Sequence, residues 1–248
     1  MIKDIEKAVE LLTPVRRLVV TTGAGMSKES GIPTFRDAPS ALWANYNPED
    51  LATPEGFRRD PPLVWNWYVE RRKMIGAASP HAGHYAIAEL EPMFDDFLVV
   101  TQNIDDLHRK AGSQQIVEVH GNIFRYKCFD HDHPIEKLPV TSDIPPRCHC
   151  GSMIRPDVVW FGEMLAREDL DRAYTALSAC DAVLVVGTSG IVYPAAGFPR
   201  AAKNLGAAVV EVNPEATPIT ELADVFVEAT AGEALPPLVE RLKAARGA

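Results

Sequence analysis

Four short valine-rich runs constrain this chain most: Leu18-Val-Val-Thr-Thr-Gly23, Phe97-Leu-Val-Val-Thr101, Ala182-Val-Leu-Val-Val-Gly187 and Ala207-Ala-Val-Val-Glu-Val-Asn213. Each is too short for a helix and almost continuously apolar, the pattern of a strand covered on both faces, as in a parallel sheet. Helix-like stretches at 82–91, 169–179 and 197–205 alternate with them. Strands alternating with helices predict βαβ units, so the expected fold class is α/β with a Rossmann-like parallel sheet. Ligands in such sheets bind beyond the carboxyl ends of the strands, which makes the residues after each run the first candidates for function.

Two segments break the alternation. Residues 37–80 are rich in Trp, Pro and Arg and read as helical. Residues 125–155 concentrate Pro, Cys and His and hold no apolar run long enough for a core of their own. Both read as insertions forming a smaller module, one helical and one zinc-ribbon-like. The expected division gives 1–36, 81–124 and 156–248 to the large domain, and 37–80 and 125–155 to the small one.

The 248 residues, 46% hydrophobic and 24% charged, exclude disorder, collagen-like repeats and coiled coil. A net charge of −9 argues against nucleic acid as a partner, which needs a basic face, and mildly favours a lysine-bearing peptide. The N-terminal Met1-Ile-Lys-Asp-Ile-Glu6 lacks the apolar core of a signal peptide, and the uncharged stretch 182–199 is broken by glycines and prolines. A cytoplasmic protein with no membrane contact is therefore expected. In that compartment the cysteines at 128, 148, 150 and 180 stay reduced, and metal ligation is favoured over disulfides.

The stretch after the first run, Gly23-Ala-Gly-Met-Ser-Lys-Glu-Ser-Gly-Ile-Pro-Thr-Phe-Arg36, carries the most chemistry. Gly23 and Gly25 permit a tight turn and close approach to a pyrophosphate, and a helix from near Met26 would offer its first N–H groups. The third glycine of a G-x-G-x-x-G is replaced by Lys28. Arg36 offers a bidentate phosphate contact, and Phe35 a surface for ring stacking.

The stretch resembles the phosphate-binding signature of the sirtuins, NAD-dependent protein-lysine deacylases. Thr101-Gln-Asn-Ile-Asp105, Glu118-Val-His-Gly121, Val158-Val-Trp-Phe-Gly-Glu163, Gly187-Thr-Ser189 and Val212-Asn-Pro214 continue the match in the family's order over nearly the whole chain. The resemblance implies a cofactor site made of Gly23, Ala24, Gly25, Ser27, Thr34, Phe35, Arg36, Gln102, Asn103, Ile104, Asp105, Gly187, Thr188, Ser189, Asn213, Pro214 and Ala231. It implies that Asn103 and Asp105 position the nicotinamide ribose and that His120 helps deprotonate a ribose hydroxyl. The products implied are free lysine, nicotinamide and 2′-O-acyl-ADP-ribose. From residue type alone, Asn103 and Asp105 also suit a turn or a helix cap, and His120 a structural role.

Tyr68 and Arg71 stand at i, i+3 in the helical insertion and would share a helix face. From pattern alone a solvated Arg-rich helix face with core aromatics is the favoured reading. Their pattern also resembles the sirtuin branch that removes succinyl and other acidic acyl groups, as does Ala52-Thr-Pro-Glu-Gly-Phe57 upstream. Both deacetylation and desuccinylation of protein lysines are therefore expected.

The family's small module carries four cysteines on a structural zinc, whereas this chain has Cys128, Cys148 and Cys150 there. Zinc accepts a Cys₃His set. His131 is the expected fourth ligand, with His133 and His149 as rivals and a metal-free module as the alternative. Cys180 reads as a small core residue. The rival functions are an NAD-consuming ADP-ribosyltransferase or glycohydrolase, a non-catalytic NAD sensor and, less well matched, a dehydrogenase.

Overall fold

The structure is a computed structural model that describes residues 2–33 and 48–247. The expected site residues Thr34, Phe35 and Arg36 lie outside the described residues.

Six parallel strands form the main sheet. They are β1 (Arg17–Thr22), β2 (Asp96–Thr101), β3 (Ile116–Glu118), β7 (Ala182–Val186), β8 (Ala208–Asn213) and β9 (Val225–Glu228), in the order β3-β2-β1-β7-β8-β9. β1 pairs in parallel with both β2 and β7. The strand order therefore reverses between β1 and β7, which places a switch-point crevice at their carboxyl ends. Alternate side chains along each strand enter different cores, so the runs have to be continuously apolar. Leu18, Val20, Leu184 and Val186 face one core with helices α1 (Ile5–Leu12), α6 (Ala82–Leu90) and α10 (Ala231–Arg246). Val19, Val183 and Val185 face the other, with α8 (Arg167–Ala179) and α9 (Phe198–Asn204).

The short helices α2 (Gly25–Lys28) and α7 (Leu107–Lys110) follow β1 and β2 at the crevice. Three further helices, α3 (Pro48–Leu51), α4 (Pro54–Arg59) and α5 (Pro61–Ala77), make up the described part of the helical insertion. Asp60 starts α5 by accepting the Leu63 N–H at 3.1 Å, and Pro61 and Pro62 fill the first turn, where no donor is needed. A second sheet, antiparallel, runs β5 (Pro134–Ile135), β4 (Gly121–Cys128), β6 (Ile154–Val158). It shares apolar clusters with the helical insertion: Trp65 with Cys128, Cys148 and Ile154, and Trp67 and Tyr68 with Ile123, Val158 and Trp160. The sequence boundaries at 124/125 and 155/156 fall inside β4 and β6. No described helix is long and apolar enough to cross a membrane.

Candidate active site and metal centre

Residues following β1, β2, β3, β7 and β8 converge at the carboxyl edge of the sheet. At the switch point Gly25 donates its N–H to the Gly187 carbonyl at 2.8 Å. A Cβ on Gly25 would stand 2.7 Å from that same oxygen, so only glycine lets the two turns meet. α2 is a single turn, and the N–H groups of Gly23, Gly25, Met26 and Ser27 are taken by the carbonyls of Val186, Gly187, Gly23 and Ala24. The turn is bonded to β7 and to itself through these four groups.

The stretch from Gln102 to Asp105 crosses over this turn. Asn103 Nδ2 donates to the Gly23 carbonyl at 2.9 Å and to Ser27 Oγ at 3.0 Å. Ser27 Oγ in turn donates to Asp105 Oδ2 at 2.5 Å, and Leu107 N–H caps Oδ1 at 3.0 Å. Asp105 is buried, and burial holds its carboxyl above the usual carboxylate range despite these donors. Ile104 is half-buried against the cluster that contains Tyr68. On the β7–β8 side of the crevice, Gln102 Nε2 donates to Thr188 Oγ1 at 3.1 Å and Asn213 Nδ2 to the Thr188 carbonyl at 2.8 Å. Ser189 is half-buried and Pro214 exposed on these loops. Ala231 opens α10, whose second N–H, on Gly232, donates to Glu29 Oε2 at 2.7 Å.

His120 lies between β3 and β4. The Gln102 carbonyl, 3.0 Å from Nδ1, can only accept, so Nδ1 carries the proton and Nε2 is left with its lone pair. Burial lowers the His120 pKa, which keeps the ring neutral at physiological pH. Gly121 turns the chain directly after it at φ +78, where a Cβ would fall onto the Asp157 carbonyl.

Tyr68 and Arg71 lie on the buried face of α5 at 5% and 6% exposure. The solvated-face reading is thereby excluded. The Arg71 guanidinium stacks 5.1 Å from the Trp67 ring centre. Burial lowers its pKa, opposed by the proximity of Tyr68 and Asp105.

Residue type alone did not single out Glu211, whose only signal is a carboxylate inside a core strand. It is fully buried, and its two oxygens accept the hydroxyls of Thr217 and Thr220, each at 2.5 Å. The loop after Asn213 is anchored through this carboxylate. His84 and His108, buried beneath the turns, carry no sequence signal either.

In the antiparallel module Cys128, His133, Cys148 and Cys150 bring their ligand atoms within 4.8 Å of one another. Cys128 Sγ is 3.6 Å from Cys150 Sγ, and His133 Nε2 is 3.0 Å from Cys148 Sγ. Three soft sulfurs and one imidazole at this spacing fit a tetrahedral zinc ion. The fourth donor is His133, not the expected His131. The turn after Cys128 folds back so that Cys128 N–H bonds the His133 carbonyl at 2.9 Å, which brings residue 133 level with the cysteine. His133→Ala should lower the zinc retained after dialysis, measured by elemental analysis, far more than His131→Ala. Equal retention in the two variants would overturn His133 as the fourth ligand, and a greater loss in His131→Ala would return the choice to His131. Cys180 is half-buried outside this group, its thiol pushed up to about 11 by burial, and it is therefore an inert packing residue.

A cavity of about 810 Å³ opens between α8 and the first halves of β1 and β2, lined by Cys180 but by none of the other described residues singled out above as cofactor, acyl or metal candidates. The chemistry-bearing residues gather at the other end of the sheet.

A switch-point crevice rimmed by amides, hydroxyls and one neutral imidazole, beside an inserted Cys₃His module, defines a Rossmann-like α/β protein with a ligand crevice and a group of side chains that could hold a structural metal. Residues 23–194 match the Sir2 family. "NAD-dependent protein deacylase 2" of Pyrobaculum aerophilum is 53% identical over 241 residues, covering 94% of each chain. The solved structure described as a Sir2 homolog–NAD complex superposes with a TM-score of 0.90 at 42% identity, over 97% of this chain and 94% of that one. A Sir2–p53 peptide–NAD⁺ structure gives 0.84 at 31% identity, over 96% and 98%. The chain belongs to the Sir2 family of NAD-dependent protein deacylases.

Proposed function

We propose that the protein removes acetyl and succinyl groups from lysine side chains of proteins, consuming NAD and yielding nicotinamide and 2′-O-acyl-ADP-ribose. The observation that carries this reading is the buried Tyr68–Arg71 pair beside Asp105, on the same crevice as the neutral His120. The name of the Pyrobaculum relative and the peptide bound in the Sir2–p53 structure support protein lysine as the substrate.

When bound, NAD supplies the ribose electrophile and the nicotinamide leaving group. Gly23, Ala24, Gly25 and Ser27 would line the phosphate side of the site; Thr34, Phe35 and Arg36, which the family resemblance adds to them, lie outside the described residues. Gln102, Asn103, Ile104 and Asp105 orient the nicotinamide ribose, the Asn103 and Asp105 side chains being held by Ser27. Gly187, Thr188, Ser189, Asn213, Pro214 and Ala231 surround the adenosine. His120 Nε2 accepts a proton from a ribose hydroxyl, a role that needs the neutral ring its buried setting maintains. The buried walls contributed by Leu107, Ile123 and Trp160 keep bulk water from the acyl group. Arg71 and Tyr68 offer charged and neutral hydrogen bonds to the carboxylate at the end of a succinyl chain.

Acetyl-, succinyl- and longer-acyl-lysine peptides incubated with NAD and read by mass spectrometry test the proposal. Acetyl and succinyl transfer to ADP-ribose is expected. NAD consumption without peptide, releasing free ADP-ribose, would make the protein a glycohydrolase. Arg71→Met should lower the ratio of desuccinylation to deacetylation kcat/KM by roughly thirtyfold or more, the effect of removing one partner of a buried charge pair. An equal fall in both activities would sink the acyl-pocket assignment.

A further inference from the structure

We infer that Trp160 is a specificity-determining positioning residue: its indole N–H fixes the Tyr68 hydroxyl so that the phenol donates its own proton to an acidic acyl group.

Trp160 Nε1 lies 2.8 Å from the Tyr68 hydroxyl oxygen, and the two side chains are 2% and 5% exposed. An indole N–H only donates, so the phenol oxygen is the acceptor in this bond. The phenol hydrogen is therefore directed elsewhere, and the Tyr68 hydroxyl makes no other hydrogen bond among the described residues. Arg71, one turn further along α5, adds a guanidinium on the same face. A carboxylate entering here meets a neutral donor and a charged one, whereas an acetyl group has no atom for either. Without the indole N–H the phenol oxygen would have an empty acceptor position in a buried site, and its proton no preferred direction.

The rest of the loop immobilises Trp160. The Arg155 guanidinium sits 3.3 Å from the centre of the indole ring at 1% exposure. Its two terminal nitrogens donate to Glu163 Oε1 and Oε2 at 2.5 and 2.9 Å, and one of them also reaches the Val158 carbonyl at 2.7 Å. Glu163 Oε2 then accepts the Trp160 backbone N–H at 2.8 Å. Ring face and backbone are thus tied to the same ion pair, and Phe57 packs at 5.3 Å between ring centres. A ring this constrained delivers its N–H to one place. A phenylalanine would keep an aromatic ring at this position while removing the donor and part of the ring volume, which is why the ratio of two activities is the readout.

This inference rests on the reading that Tyr68 and Arg71 face the acyl carboxylate. The test measures kcat/KM of the full chain with succinyl- and acetyl-lysine peptides of one sequence, for the parent, Trp160→Phe, Tyr68→Phe, Arg71→Met and the Trp160→Phe/Tyr68→Phe double variant. The ratio of the two activities within one preparation is independent of the fraction folded. Trp160→Phe should lower the succinyl-to-acetyl ratio about five- to tenfold, the effect of one hydrogen bond. The double variant should show no larger loss than Tyr68→Phe alone, because the indole acts through the hydroxyl. An unchanged ratio in Trp160→Phe, with losses in Tyr68→Phe and Arg71→Met, would overturn the role of Trp160 and leave the acyl-pocket reading standing. Additive losses in the double variant would reduce Trp160 to packing. Unchanged ratios in all variants, or no succinyl turnover by the parent, would overturn the acyl-pocket reading itself.

Discussion

Replacing His120 with Ala should lower kcat/KM for deacylation roughly a hundred- to ten-thousandfold, the range typical of a lost general base, while NAD still binds. The reason is geometric. His120 donates Nδ1–H to the Gln102 carbonyl, and what remains is one lone pair on Nε2. The same bond anchors the imidazole to the backbone of the 102–105 stretch, so the base and the residues assigned to the nicotinamide ribose move as one unit. His120→Tyr should behave similarly, since a phenol is protonated at neutral pH. Because burial lowers the His120 pKa, the acid limb of kcat/KM should lie below the ordinary imidazole value of about 6.5. Single-turnover kinetics with acyl peptide, alongside calorimetric titration of NAD, checks both halves of the prediction. Near-parental turnover in His120→Ala would remove His120 from the mechanism. Lost NAD binding would make its role structural.

Much of this site was legible because its parts follow strands. Gly23, Gln102, His120, Gly187 and Asn213 each end or closely follow an apolar run, and a parallel sheet carries such positions to one edge. β9 was not legible: Val225–Glu228 is a four-residue edge strand with none of the length that marked β8. The choice of His133 over His131 was also hidden. The sequence places three histidines near the cysteines, and although His149 Nδ1 also comes within 3.4 Å of Cys148 Sγ, only the fold of the turn after Cys128 brings His133 within 4.8 Å of all three sulfurs. Trp160 and Glu211 show a third kind of limit. Both lie in recognisable runs, but what matters is a partner 92 residues away in one case and a pair of loop hydroxyls in the other. Residue type gives the chemistry of a side chain, and long-range packing gives its partner.

Acidification from pH 7 to 4.5 should destabilise the fold before most carboxylates titrate, because two imidazoles are buried neutral beneath the catalytic edge. Thr22 and Thr101 end β1 and β2, and Thr22 Oγ1 donates to Thr101 Oγ1 at 2.8 Å. Having given its only proton, Thr22 Oγ1 must accept from His108 Nε2, 3.0 Å away. His108 then stacks edge-on against His84 at 5.1 Å, and His84 against His81 at 4.4 Å. His81 Nε2 donates to the Met26 carbonyl at 2.6 Å, and its Nδ1 accepts the Gly83 N–H at 3.0 Å. His84 Nδ1 accepts the His81 backbone N–H at 3.3 Å, which leaves its proton on Nε2, and a further proton on either buried ring would face its neighbours. Burial, then the adjoining histidines, pushes His84 down to about 2; burial and His81 push His108 to about 4, with Glu118 opposing. The folded pKa values are depressed, so the unfolded chain takes up protons first as pH falls below about 6.5, and stability declines with it. Each imidazole contributes a slope of about 1.4 kcal/mol per pH unit, ending near pH 4 for His108 and near 2 for His84. Over the two units from 6.5 to 4.5 the pair removes about 5 kcal/mol, the lower end of what a domain possesses. Paired carboxylates such as Asp181 and Asp224 are held below their usual range and stay ionised across this window. Asp105, raised by burial, acts with the opposite sign, whereas His120 adds to the loss. Urea denaturation at pH 7.5 and 5 should give a clearly lower midpoint at the acid pH, with the difference reduced in His84→Asn. Coincident midpoints for the parent protein would mean that the ladder takes up protons without cost, and the neutral tautomers assigned to it would be wrong.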